Sequence, residues 1–238
     1  MKTIKSRICE LTGITYPIFQ GGMSWISEAR LAAAVSNAGG LGIISAMNAD
    51  ASYLSSQIKL CRELTDKPFG VNILLLSPYV DDVARVVREE RIPVVTTGAG
   101  TPGKYMEGWL RAGVRVIPVV ASVALAKRLE KMGASAVIAE GAEAGGHVGE
   151  LNTMALVPQV CDALSIPVVA AGGFKDGRGL LAALAWGADG IAMGTRFLMT
   201  EESPVPRATL QRYIDCKNPG AIIAVSYTHL TLPKINSV

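Results

Sequence analysis

Short apolar runs recur along this chain, and each gives way to a helical pattern. The runs are "YPIFQGG" from Tyr16, "LGIISAM" from Leu41, "PFGVNILLL" from Pro68 and "IPVVTTG" from Ile92. They continue with "VRVIPVVAS" from Val114, "ASAVIAEG" from Ala134, "IPVVAAGG" from Ile166 and "ADGIAMGTRFL" from Ala188. Their starts lie about 20 to 30 residues apart, the spacing of βα units. Apolar residues run on without polar alternation, so both faces of each strand are covered. That is the mark of a parallel sheet.

The stretches between them read as helices. "SEARLAAAVSNAG" opens at Ser27, a candidate N-cap, and closes at a glycine. "SPYVDDVARVVREER" offers Ser77 as a cap and Pro78 at the first helical position, with acids early and arginines late. Its Val80, Val83, Ala84 and Val87 fall on one face. "SVALAKRLEKMG" and "GRGLLAALAWG" repeat the design.

Eight strand candidates alternating with helices predict an α/β fold, a (β/α)8 TIM-type barrel. An open, doubly wound sheet is the competing architecture. The barrel is preferred because the count reaches eight and glycines sit at the C-terminal ends of many strands, where a barrel builds its site. A doubly wound chain would concentrate them in one GxGxxG turn, and none follows the first strand. The rhythm stops near Val225. The last residues, "VSYTHLTLPKINSV", resemble translated adapter sequence. The barrel is therefore expected over residues 1–224, and residues 225–238, with His229, are expected to be a foreign or disordered tail.

Composition narrows the picture. A chain of 238 residues suits one large domain, and a hydrophobic half with 25 glycines suits a well-buried α/β protein. A net charge of +3 gives no footprint for nucleic acid. The four cysteines form no CxxC pair, so reduced thiols are expected. The N-terminus lacks the apolar core of a signal peptide. The most apolar segment, "VRVIPVVASVALA", is shorter than the roughly 20 residues that span a bilayer. A cytoplasmic protein without a membrane partner is expected.

Candidate chemistry gathers at the strand ends. After the seventh strand come Gly172 and Gly173, and after the eighth Gly194 and Thr195. Barrels commonly bind phosphate there, because glycine lets backbone N–H groups approach an anion. Thr195 adds a hydroxyl. Gly21, Gly22 and Met23 follow the first strand, and Asn72 is expected to end the third. A flat heteroaromatic ring needs close backbone on one side and amide partners at its edge, with a phosphate to hold its tail. That set describes FMN. The stretch "AEGAEAGGHVGE" adds Gly145 and Gly146 directly before His147. Two glycines would let that loop run close to a ring and hold the imidazole over it. No ligand-spaced residues accompany His147, so no metal site is expected. Outside the tail that holds His229, no second histidine supports a Ser–His–Asp triad, and the chain has no GxSxG.

The pieces "QGGMSWIS", "NAGGLGIIS", "VNILLLSP", "TTGAGTP", "EGAEAGGHVGE", "GRG" after "AAGGF" and "GTRFL" resemble the flavin-dependent enoyl-acyl-carrier-protein reductases, of the nitronate monooxygenase or 2-nitropropane dioxygenase superfamily. The resemblance covers about Lys5 to Pro206. It implies FMN at a barrel mouth, with Gly21, Gly22 and Met23 along the flavin, Asn72 near its edge, and Glu140, Gly145 and Gly146 beside His147. Gly172, Gly173, Gly194 and Thr195 would hold the phosphate, and His147 would be the catalytic histidine. It implies reduction of trans-2-enoyl thioesters on acyl carrier protein by NADH or NADPH, in bacterial fatty acid synthesis, with a monovalent cation and a homodimer as further candidates. "NILLLSP" and "GHVGE" favour that branch. The alternatives are a nitronate monooxygenase using oxygen and an inactive flavin-binding remnant. Family members carry a further C-terminal, substrate-side segment, which this sequence is expected to lack.

Overall fold

The computed structural model describes residues 4, 6–47, 49–146 and 149–216. His147 and the tail at 225–238 lie outside the described residues. The chain divides after Pro204. Up to that point the described residues form eight strands: β1 (Ile18–Gln20), β2 (Gly42–Ser45), β3 (Phe69–Leu74), β4 (Val94–Gly98), β5 (Arg115–Val120), β6 (Val137–Glu140), β7 (Val168–Ala171) and β8 (Gly190–Met193). Each falls inside one of the apolar runs. Between them stand α2 (Ala29–Asn37), α3 (Ala51–Leu64), α4 (Val80–Glu89), α5 (Gly103–Arg111), α6 (Val123–Lys131), α7 (Thr153–Ala163) and α8 (Gly177–Ala185). A helix α1 (Arg7–Thr12) precedes β1, and a single turn, α9 (Thr195–Leu198), follows β8. Beyond Pro204 the described residues hold α10 (Arg207–Asp215). None of the described helices is long and apolar enough to cross a membrane.

The strands are parallel, in the order β1-β8-β7-β6-β5-β4-β3-β2. Between β1 and β2 the ladder is thin. Gln20 N donates to Leu41 O at 3.0 Å and Leu41 N to Ile18 O at 2.9 Å. The Gln20 side chain supplies the rest. Its Oε1 accepts from Ile43 N at 3.0 Å and its Nε2 donates to Ile43 O at 3.2 Å. The carboxamide thus pairs with Ile43 as a neighbouring strand's peptide would, and the sheet closes into a (β/α)8 barrel.

Alternation along the strands makes two apolar layers. Phe19, Ile43, Val94, Ile117, Ile138, Val169 and Ala192 cluster inside the barrel. Val71, Ile73, Val95, Val116, Val137, Val168 and Ile191 pack outward with helix residues such as Val83, Leu129 and Leu156. Burying a Val or Ile completely contributes roughly 1.5–3 kcal/mol, so this double layer dominates the barrel's stability.

Helix α1 carries Ile8, wholly buried, into the interior cluster. Arg7 clamps it to the start of β8: Nε and Nη2 donate to the Asp189 carboxylate at 2.8 and 2.7 Å. Asp189 also accepts from Val168 N at 3.0 Å. The N-terminal end of the barrel is thereby closed, and the open end is the C-terminal one.

Two helix starts differ from the sequence reading. Helix α2 is preceded by Glu28, and α4 by Tyr79, neither giving a side-chain cap. Ser77 Oγ accepts from Tyr79 N at 3.2 Å, ahead of the helix, so Pro78 is not helical. Ser27 is drawn into the loop after β1 instead. Helix α6 does start as expected, with Ser122 Oγ accepting from Leu125 N.

Candidate active site

The loops that follow β1, β6, β7 and β8 bring most of the singled-out residues to the C-terminal rim. After β1 the chain is fixed by Ser27, whose Oγ accepts from Met23 N at 2.8 Å and from Gln20 Nε2 at 2.7 Å, and donates to Gly21 O at 3.0 Å. Gly21 N donates to Met193 O at 2.8 Å, continuing the β1–β8 ladder. A Cβ at Gly194 would lie 3.6 Å from Met23 Sδ. Gly21, Met23 and Gly194 therefore stand together.

Asn72 does not end β3. The strand continues to Leu74, and Asn72 is a buried strand residue facing the interior beside Thr96 of β4. Thr96 Oγ1 donates to Asn72 Oδ1 at 2.8 Å, and Asn72 Nδ2 reaches Gly22 O at 3.4 Å. A Cβ on Gly22 would come within 2.3 Å of Asn72 Cβ. Packing alone demands glycine at 22.

Glu140 closes β6 and alternation turns it inward, one step beyond Ile138. No hydrogen bond reaches its carboxylate among the described residues. Burial pushes its pKa up to about 7. A carboxyl so placed exists in both protonation states near neutral pH.

The next loop is anchored by an acid. Glu143 Oε2 accepts from both the N–H and the hydroxyl of Thr153, each at 2.8 Å, at the first turn of α7. Burial raises the Glu143 pKa, but the Thr153 bonds outweigh it and hold it below the usual carboxylate value. Thr153 Oγ1 also lies 3.1 Å from Gly172 O and 3.3 Å from Ala171 O. Cβ atoms at Gly141 and Gly172 would meet this threonine at 2.3 and 2.4 Å. Thr153 thus sets the spacing between the loops after β6 and β7.

Gly145 and Gly146 are different. Among the described residues a Cβ at either would meet no atom within 4 Å, and Gly146 has φ +93°. Gly172 and Gly173 also have positive φ, +107° and +78°. Thr195 is exposed at the start of α9. Two groups result: Gly21, Gly22, Met23, Asn72 and Gly194 on one side, and Glu140, Gly172 and Gly173 on the other. The β7–β8 pairing Ala171↔Ala192 joins them. His147 lies outside the described residues.

Sequence reasoning missed Thr96, Glu143 and Thr153. Thr96 sits in an apolar strand with nothing to distinguish it. Glu143 caps a helix that begins ten residues later, beyond the range of local capping patterns.

A nitronate monooxygenase family profile matches residues 5–90 and 77–226. The chain is 44% identical over 214 residues to a (3aS,4S,5R,7aS)-5-hydroxy-7a-methyl-1-oxo-octahydro-1H-indene-4-carboxyl-CoA dehydrogenase of Rhodococcus jostii, covering 90% of this chain and 61% of that protein. It therefore spans about three fifths of this relative's length. The structure of FabK from Thermotoga maritima superposes with a TM-score of 0.89 at 50% identity, over 90% of this chain and 69% of that one. A nitroalkane oxidase from Streptomyces ansochromogenes superposes with a TM-score of 0.81 at 32% identity, over 86% and 71%.

Proposed function

We propose that this chain, which belongs to the nitronate monooxygenase family, is an FMN-dependent oxidoreductase that reduces trans-2-enoyl thioesters with NADH or NADPH. The observation that carries the reading is the bare backbone at Gly145 and Gly146. Packing among the described residues explains Gly22, Gly141 and Gly172 but not Gly145, and Gly146 owes its glycine in part to its φ of +93°. A flat ring lying on the backbone would account for both, and a side chain there would fill its place.

The residues present fit the cofactor. Gly21, Gly22 and Met23 would lie along it, with Asn72 at its edge and Glu140, Gly145 and Gly146 on the other side. Gly172, Gly173 and Gly194 would offer backbone to the phosphate, and Thr195 a hydroxyl. When bound, FMN supplies hydride relay from nicotinamide to the β-carbon of the enoyl thioester. Charge develops on the thioester oxygen as this occurs. His147 is proposed to stabilise that oxygen or to give the proton to the α-carbon, since an unperturbed imidazole titrates near pH 6.5. Glu140, half protonated near neutrality, can donate or accept a hydrogen bond within the mouth.

The similarity to a carboxyl-CoA dehydrogenase supports a thioester substrate. Acyl carrier protein as its carrier, a monovalent cation, a homodimer and a barrel domain ending at 224 belong to the same proposal. The second reading is a nitronate monooxygenase, supported by the family profile and the nitroalkane oxidase. Two half-reactions separate them: reduction by NADH followed by crotonyl thioester, without oxygen, and reaction of the oxidised protein with a nitroalkane, followed by oxygen. Reduction by NADH and reoxidation by the thioester are expected. Flavin reduced by the nitroalkane and reoxidised by oxygen, with no response to the thioester, would establish the second reading, and no reduction by either donor would indicate an inactive remnant.

A further inference from the structure

We propose that Thr96 is a positioning residue, which fixes the end of the Asn72 side-chain amide that faces the barrel mouth. Asn72 and Thr96 are register partners on β3 and β4, with both side chains inside the barrel. Two neighbours decide the orientation of the amide. The Gly22 carbonyl can only accept, so the amide atom 3.4 Å from it must be Nδ2. The Thr96 hydroxyl then donates to Oδ1, at 2.8 Å. Thr96 is 2% exposed, so no water competes for that bond.

The consequence lies at Nδ2, which carries two protons. One points to Gly22 O over a long contact. The other has no acceptor among the described residues. Gly22 follows β1 at the C-terminal rim, so this free N–H belongs to the mouth. Thr96 does not reach the mouth itself. Without its hydroxyl, Oδ1 loses its partner and only the long 3.4 Å contact to Gly22 O still orients the amide, which can then rotate and present an acceptor where a donor stood. The inference rests on the reading that FMN binds here, and it names the hydrogen bond that selects for an acceptor on the ring's edge.

FMN affinity of the 238-residue chain, followed by quenching of flavin fluorescence, tests this. Thr96→Val removes the hydroxyl at nearly constant volume and should weaken FMN on the order of tenfold, about the worth of one neutral hydrogen bond. Thr96→Ser keeps the donor and should stay within about twofold of the parent. Asn72→Asp keeps an acceptor for Thr96 and removes the donor at the mouth, so it should lose at least as much as Thr96→Val. Adding Thr96→Val to Asn72→Asp should cost little more, because the two share one function. A visible flavin band that shifts in Thr96→Val and returns in Thr96→Ser is the second readout. Parent-like affinity and spectrum in Thr96→Val would overturn the role of Thr96, as would equal losses in Val and Ser. A parent chain that binds no FMN would overturn the flavin reading itself, and this inference with it.

Discussion

The carboxylate of Glu143 takes both the N–H and the hydroxyl of Thr153, each at 2.8 Å, and so ties the glycine-rich loop to the first turn of α7. The acid satisfies a free N–H at that helix start, since Asn152, at the cap position, makes no side-chain bond. Glu143→Ala should cost about 1 kcal/mol, the usual worth of such a cap. In a domain of this size the melting temperature should drop by about 2–4 °C. Because bonding holds the Glu143 pKa below its ordinary value, the stabilisation is present above that value and disappears as pH falls through the folded one. Thermal melts of parent and variant should therefore converge in acid. A gap that stays constant down to pH 3 would mean the carboxylate is not the acceptor.

Glu140 behaves oppositely. Its pKa is raised to about 7 by burial, so the folded state binds the proton more tightly than the unfolded one. Its contribution is favourable at low pH and is lost as pH rises through the window between the ordinary carboxylate value and about 7. Glu140→Gln should then be more stable than the parent at pH 8, by up to about 3 kcal/mol, with the advantage fading toward pH 4. Denaturant titrations of the flavin-free protein at both values check this. A parent more stable than Glu140→Gln at pH 8 would show that an unseen cation partner holds the carboxylate.

Gly145 and Gly146 separate backbone strain from ligand contact. Only Gly146 has a positive φ. In the flavin-free protein Gly145→Ala should be nearly silent, while Gly146→Ala should cost roughly 1 kcal/mol. Both should weaken FMN, because either Cβ would enter space that no described residue fills and that the flavin is proposed to occupy. His147→Ala should keep the flavin and slow its reoxidation by enoyl thioester on the order of 10²-fold, the scale for one positioned acid or oxyanion donor. Stopped-flow traces with a flavin-to-protein ratio decide it. Loss of flavin in His147→Ala would make that residue structural.

The eight strands were legible because burial on both faces leaves unbroken apolar runs, and the (β/α)8 count followed from them. What closes the barrel was not legible. The carboxamide of Gln20 replaces missing ladder bonds to Ile43, a substitution that no periodicity announces. Ser27 and Ser77 look like helix caps, but their hydroxyls serve the loops before the helices, where tertiary partners outcompete local ones. The glycines at strand ends were legible as a group, yet only the structure divides them. Gly22 and Gly172 are glycine because Asn72 and Thr153 occupy the space, while Gly145 and Gly146 face no such neighbour among the described residues. Thr96 and Thr153 escaped notice because a hydroxyl's role depends on neighbours far away in sequence: Thr96 bonds Asn72 across 24 positions, and Thr153 meets Glu143 across 10 and Gly172 across 19.

The identity of the cofactor is the most direct test. Two glycine pairs suit one terminal phosphate, and no GxGxxG turn follows the first strand, where a dinucleotide-binding fold would hold a pyrophosphate. Protein purified after expression with ample flavin should be denatured and its released cofactor separated by chromatography. FMN, close to one per chain, is the predicted result. FAD in its place, or a folded barrel that yields no flavin and binds none on titration, would contradict the account.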